Sequence, residues 1–149
     1  MTKALSILSS FLIFGFLGLI ESVAQSAPQV VDLTAADGTK LKASYFAASK
    51  PGPGVLLLHQ CNRQRRIWDG LALQLEAAGL HVLTLDFRGF GQSGGKLFDQ
   101  LTPQEAGQAF AQTFPGDVDT ALEYLKSQPG VKKDVIGVGG ASCGVNQAI

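Results

Sequence analysis

The chain has 149 residues, 46% of them hydrophobic, with 12 Lys and Arg balanced by 12 Asp and Glu. That length suits one domain with one core. Zero net charge, with no basic run beyond Arg63-Gln64-Arg65-Arg66, recommends neither nucleic acid nor acidic partners, and the short basic cluster reads as a solvated start to a helix.

At the N-terminus, Lys3 precedes Ala4 to Ile20, apolar apart from Ser6, Ser9 and Ser10, and then the small residues of Ser22-Val23-Ala24 and Ala24-Gln25-Ser26. This is the pattern of a secretory signal peptide cut near Ala24 or Ser26. An uncleaved anchor is the alternative, since a 17-residue stretch lies at the bottom of the spanning range. The chain is therefore expected to divide into a signal peptide, residues 1–25, and a domain, residues 26–149. The protein is expected to be exported, periplasmic or secreted, with no membrane contact after cleavage.

Val30 to Leu33 and Leu41 to Phe46 alternate around Ala36-Asp37-Gly38-Thr39, which predicts an antiparallel hairpin because Asp-Gly favours the positive φ angles of a tight turn. Val55 to His59 is a continuous apolar run of the kind buried on both faces. Ile67, Leu71, Leu75 and Ala78 recur at helical spacing before Gly79. His81 to Asp86 is a second buried strand, with His81 at its start, far from any site at the carboxyl ends of the strands. Thr102-Pro103-Gln104-Glu105 is a capping box opening a helix through about Thr113, and Pro115-Gly116 is expected to interrupt it. Val118, Ala121, Leu122 and Leu125 make the next helical face, and Val135 to Val138 the next strand. Alternating strands and helices imply a parallel sheet with right-handed crossovers and helices on both faces.

The last strand breaks into Gly140-Ala141-Ser142-Cys143-Gly144, a G-x-S-x-G sequence between a strand and a helix start. In such an elbow the serine sits in a strained backbone conformation, and flanking glycines give it room beside the neighbouring strands. A second match at Gly91-Gln92-Ser93-Gly94-Gly95 has no strand running directly in and no helix running directly out. Cys143 as nucleophile would need glycine where Ala141 and Val145 stand. Context thus selects Ser142.

Three segments fall at the carboxyl ends of consecutive strands: His59-Gln60-Cys61-Asn62, the run from Asp86-Phe87-Arg88-Gly89 to Gly95, and the Ser142 elbow. In this order they resemble the α/β-hydrolase family over residues 55–149, with the His-Gln-Cys-Asn wording similar to its dienelactone-hydrolase-like branch. The resemblance implies an α/β fold, the α/β-hydrolase fold, with a mostly parallel sheet behind an antiparallel opening hairpin. It implies a serine hydrolase of carboxylic esters or related acyl bonds, with Ser142 as nucleophile. The oxyanion donors would be the backbone N–H of Cys143 and one from the first loop, Cys61 or Gln60. Asp86 and Arg88 would hold the glycine-rich loop in place, and His59 would pack in its loop.

In this family the acid and histidine follow the nucleophile. Only seven residues follow Ser142 here, none of them Asp, Glu or His. The chain is therefore expected to be an N-terminal half truncated after the elbow, inactive alone. The alternative is a non-catalytic periplasmic fragment or binding protein. Serine at the elbow excludes haloalkane dehalogenases, which use aspartate, but is shared with cofactor-free peroxidases and peptidases. The implied partner is a small-molecule acyl substrate, and no motif calls for a cofactor or a metal.

Cys61 and Cys143 lack metal-ligand spacing. The family's strand order makes their strands neighbours, so their Cα atoms are expected within about 8 Å, near the limit for a disulfide. Two free, partly buried thiols are the favoured expectation, because a bridge could pull the oxyanion donors out of line.

Overall fold

The computed structural model describes residues 27–148, so the signal-peptide expectation lies outside them. Strand β1 (Gln29–Thr34) turns through Gly38, at a φ of +88°, into β2 (Lys40–Phe46), giving the antiparallel hairpin expected from Asp37-Gly38. The Asp37 carboxylate accepts the Thr39 N–H at 3.0 Å, closing the turn.

Strands β3 (Gly52–Leu58), β4 (His81–Asp86) and β5 (Val131–Gly140) complete one sheet in the order β1-β2-β4-β3-β5. The hairpin joins antiparallel through β2 and β4, while β3 runs parallel to both β4 and β5. All three parallel strands therefore end on the same side, where the candidate site lies.

The apolar runs of β3 and β4 are explained by cover on both faces. Leu56, Leu58, Leu83 and Leu85 face Val118, Ala121 and Leu125 of α3 (Phe114–Ser127). Leu57 and Val82, on the opposite face, meet Ala72 of α1 (Asp69–Ala77). Each fully buried leucine contributes roughly 1.5–3 kcal/mol.

The helix before Gly79 differs in detail from its sequence pattern. It starts with a 3₁₀ turn over Arg65–Trp68, and its inward face carries Trp68, Ala72 and Leu75, leaving Ile67 and Leu71 47% and 40% exposed. Two stripes of helical spacing coexist in this stretch, and the one led by the larger Trp68 ring is buried. Gly79, at φ +91°, ends the helix as expected.

The capping box at α2 (Pro103–Gln108) forms: Thr102 Oγ1 accepts the Glu105 N–H at 3.3 Å and Glu105 accepts the Thr102 N–H at 2.7 Å. Lys96 and Thr102 hold the Glu105 carboxyl at about 2. The expected break at Pro115-Gly116 does not occur. A π-turn over Ala109–Thr113 carries α2 directly into α3, and Pro115 falls in the first turn of α3, where its missing N–H costs least.

Among the described residues β5 is an edge strand with β3 as its only partner, and Val135 on it is 51% exposed. Unpaired strand edges template association. The isolated chain is expected to self-associate with rising concentration in sedimentation velocity, and Val135→Lys to reduce that association. A wild-type species that stays monomeric across the range would contradict this.

Candidate active site

Strand β5 delivers the chain to Ala141 and then to a 3₁₀ turn over Ser142–Gln147. Ser142 has a φ of +51°, the only positive value at a non-glycine among the described residues. Such a backbone costs of order 1–3 kcal/mol and persists only where its surroundings impose it.

The flanking glycines show how it is imposed. A Cβ at Gly144 would lie 2.4 Å from the Leu58 carbonyl oxygen and 2.8 Å from that of His59, so glycine alone lets the turn rest on the end of β3. A Cβ at Gly140 would meet the Gly144 carbonyl group at 2.5 Å, so Gly140 makes room for Gly144 rather than for a strand. The Ala141 N–H donates to Leu58 O at 3.2 Å and the Gly144 N–H to Ala141 O at 2.9 Å. Farther along, the Gln147 side chain donates to Phe110 O, a carbonyl of the π-turn, at 3.2 Å.

Cys143 is buried and forms a disulfide with Cys61, their Cα atoms 5.8 Å apart. The separation falls inside the expected range, but the expectation of two free thiols is overturned. Parallel pairing of β3 with β5, Leu58 opposite Gly140, brings the two following loops within bonding reach. Cys61 also lines an open cleft of about 680 Å³, with Arg63, Phe90, Leu97, Phe98 and Asp99 among its walls. Ser142 itself is exposed and does not line that cleft.

His59 is fully buried. Its Nε2 accepts the Phe87 N–H at 3.2 Å, so Nδ1 carries the proton and donates to Gln60 O at 2.8 Å. Both nitrogens are occupied by loop backbone, and burial pushes the imidazole below its usual value, more than the Gln60 carbonyl and Asp86 pull it up. His81 starts β4 at the opposite end of the sheet, bonded to the Tyr45 hydroxyl at 2.8 Å. It is buried at the start of a central strand.

The polar network beneath the loops is centred on Asp86, also fully buried. It accepts the Arg65 N–H at 2.6 Å, the Gln92 N–H at 3.0 Å and the Arg65 guanidinium. Arg65 also reaches Ser44 and Gln92, so the basic cluster that reads as solvated holds one fully engaged, buried arginine. A Cβ at Gly91 would lie 2.2 Å from the Asp86 carboxylate, which fixes glycine there. Ser93, the serine of the second glycine-flanked match, donates to Asp86 O at 2.6 Å and accepts the Lys42 N–H at 2.8 Å, so its hydroxyl is consumed in joining loop to sheet. Arg88 binds buried Asp117 of α3 and Asp37 of the first hairpin, and these two raise its pKa, Asp117 most.

Several of these partners escape a sequence reading. Asp86 and Arg88 do signal a loop-holding role, but Arg65 hides in the basic cluster and Asp117 looks like an ordinary first-turn acid of α3. Gln147 carries no signal, because its acceptor exists only where the helix takes the π-turn.

No family model matches the chain. It is 27% identical over 113 residues to thiohydrolase aneE of Aspergillus aculeatus, covering 75% of this chain and 33% of that one. It is 32% identical over 115 residues to an uncharacterised protein of Mycobacterium tuberculosis, covering 76% and 37%. Among solved structures, an esterase of Pyrococcus furiosus superposes with a TM-score of 0.66 at 26% identity, over 82% of this chain and 45% of that one. Acetyl xylan esterase 1 of Thermoanaerobacterium gives a TM-score of 0.69 at 21% identity, over 85% and 44%. The chain has the α/β-hydrolase fold. It spans about a third of the length of the curated relatives it matches and corresponds to the N-terminal portion of the solved hydrolases.

Two outcomes follow for the buried groups. Asp86→Ala leaves Arg65 charged and unpaired in the interior, so chemical denaturation should show a loss of about 3–5 kcal/mol, and a loss below 1 kcal/mol would contradict the network. His59 has its pKa lowered on folding, so below its ordinary value of 6.5 the unfolded chain binds the extra proton. Its contribution is present above pH 6.5 and is lost as pH falls through the folded value. Unfolding free energy should fall between pH 7.5 and 5.5 in the wild type and fall less in His59→Gln; equal slopes would contradict it.

Proposed function

We propose that Ser142 is the nucleophile of a hydrolase acting on carboxylic esters or thioesters, through an acyl-enzyme, with the N–H groups of Cys143 and Cys61 as oxyanion donors. The observation that carries the reading is the positive φ of Ser142, held in a turn that Gly140 and Gly144 allow to rest on the end of β3. In a strained strand-to-helix turn the hydroxyl stands clear of its own backbone, where an acyl carbon can approach it. Donors on Cys143 and Cys61 are attached to Cα atoms 5.8 Å apart, close enough for both N–H groups to converge on one developing oxyanion. The relative named a thiohydrolase and the solved esterases support an acyl substrate, and the hydrophobic stretch before Val23 supports export.

In the reaction, the Ser142 hydroxyl adds to the acyl carbon, its proton passing to a base, and the carbonyl oxygen takes the negative charge between the two N–H groups. Collapse expels the alcohol or thiol and leaves the acyl-serine, which water then hydrolyses. The base is neither histidine of these 149 residues: His59 has both nitrogens bonded to backbone and His81 lies at the far end of the sheet. A serine without an adjacent base is a weak nucleophile at neutral pH.

The chain alone is therefore expected to hydrolyse short acyl esters no faster than its Ser142→Ala variant. With imidazole added as an external base, a fluorophosphonate should modify Ser142 at least tenfold faster than exposed Ser127, mapped by peptide mass spectrometry. Equal modification of the two serines in a folded sample would overturn the assignment and favour a non-catalytic protein.

A further inference from the structure

Residues 60–63 form a loop whose hydrogen bonds, among the described residues, stay local. The Arg63 N–H donates to Gln60 O at 3.0 Å, the Gln60 amide to Asn62 Oδ1 at 2.9 Å, and the Arg63 guanidinium to Asn62 O at 3.3 Å. Its two ends are fixed, at His59 by the Phe87 N–H and at Arg65 by Asp86. Between those ends one bond reaches another part of the fold, the disulfide from Cys61 to Cys143. The other end of that bond is the residue directly after Ser142, the strained position of the elbow. The 149 residues contain two cysteines, and both are spent on this tie.

We infer that the Cys61–Cys143 disulfide is a reducible clamp that positions the 60–63 loop against the Ser142 elbow. What the clamp positions rests on the function proposed above; that it holds these two segments rests on the geometry alone. A dithiol opens it: the S–S bond breaks, each cysteine sulfur gains an electron and a proton, and the dithiol closes to its own cyclic disulfide. The fold is kept, because β3, β4, β5 and the Asp86 network hold without the bridge. The loop is freed between its anchored ends, and its backbone donor no longer has a fixed place opposite that of Cys143. In this account the two cysteines are positioning residues whose effect is local and set by the redox state of the surroundings.

The test compares the oxidised whole chain with the same chain in dithiothreitol by hydrogen exchange. Reduction should speed exchange at least tenfold in residues 60–64 and 141–147, and change it less than twofold in β3, β4 and α3. The double variant Cys61→Ser/Cys143→Ser should match the reduced form with or without dithiol. Unchanged exchange in the two segments, or an equal rise throughout the sheet, would overturn the clamp. The second arm follows fluorophosphonate modification with imidazole present, where the ratio of Ser142 to Ser127 should fall at least tenfold on reduction. A local exchange response with an unchanged ratio would overturn the positioning role. Modification of Ser142 no faster than Ser127 in both forms would instead defeat the proposed function while exchange still decides the clamp.

Discussion

The candidate site depends on a contact made by backbone alone, the seating of Gly144 on the carbonyl oxygens of Leu58 and His59. Any side chain at 144 would collide with those oxygens, so the turn after β5 approaches β3 more closely than side chains permit. That approach needs β3 and β5 to be parallel neighbours, which the register of Leu58 with Gly140 provides. It also forces the chain to reverse within the three residues from Ala141 to Cys143, and Ser142 takes the positive φ that the reversal requires. The bridge to Cys61 is a consequence of the same proximity.

Charge burial does the complementary work on the neighbouring loop. Taking Asp86 and Arg65 out of water is costly, and one partner without the other would be worse. Their reward is geometric: the carboxylate collects backbone N–H groups from residues 65 and 92 and so fixes both the start of the 3₁₀ turn and the glycine-rich loop. Arg88 repeats the device on the other side, binding α3 through Asp117 and the first hairpin through Asp37. Loops that would otherwise be mobile are thus tied to the sheet at the end where the parallel strands stop.

Much of this was legible in the sequence, and for identifiable reasons. The apolar runs at residues 55–58 and 81–85, the Asp37-Gly38 turn and the Thr102 capping box are local patterns with one cheap outcome each, and they formed as read. The elbow was legible because glycine spacing around a serine after a strand encodes a backbone shape. Four features were not. The inward stripe of α1 was ambiguous between two registers differing by one residue, and tertiary packing of Trp68 decided it. Continuation of α2 into α3 past Pro115 depends on a π-turn, which no local propensity announces. The pairing of Asp86 with Arg65, and the bond between Cys61 and Cys143, join residues 21 and 82 positions apart, and only the tertiary fold brings them together.

The central claim is that the fold stores backbone strain at Ser142 in order to present its hydroxyl. Unfolding free energies of Ser142→Gly and Ser142→Ala, measured side by side, test it without any substrate. At a position held in the left-handed region, glycine relieves a penalty of roughly 1–2 kcal/mol that alanine retains. The account predicts the glycine variant to be the more stable by about 1 kcal/mol. An alanine variant as stable as the glycine variant, or more so, would place Ser142 in ordinary backbone and contradict the account.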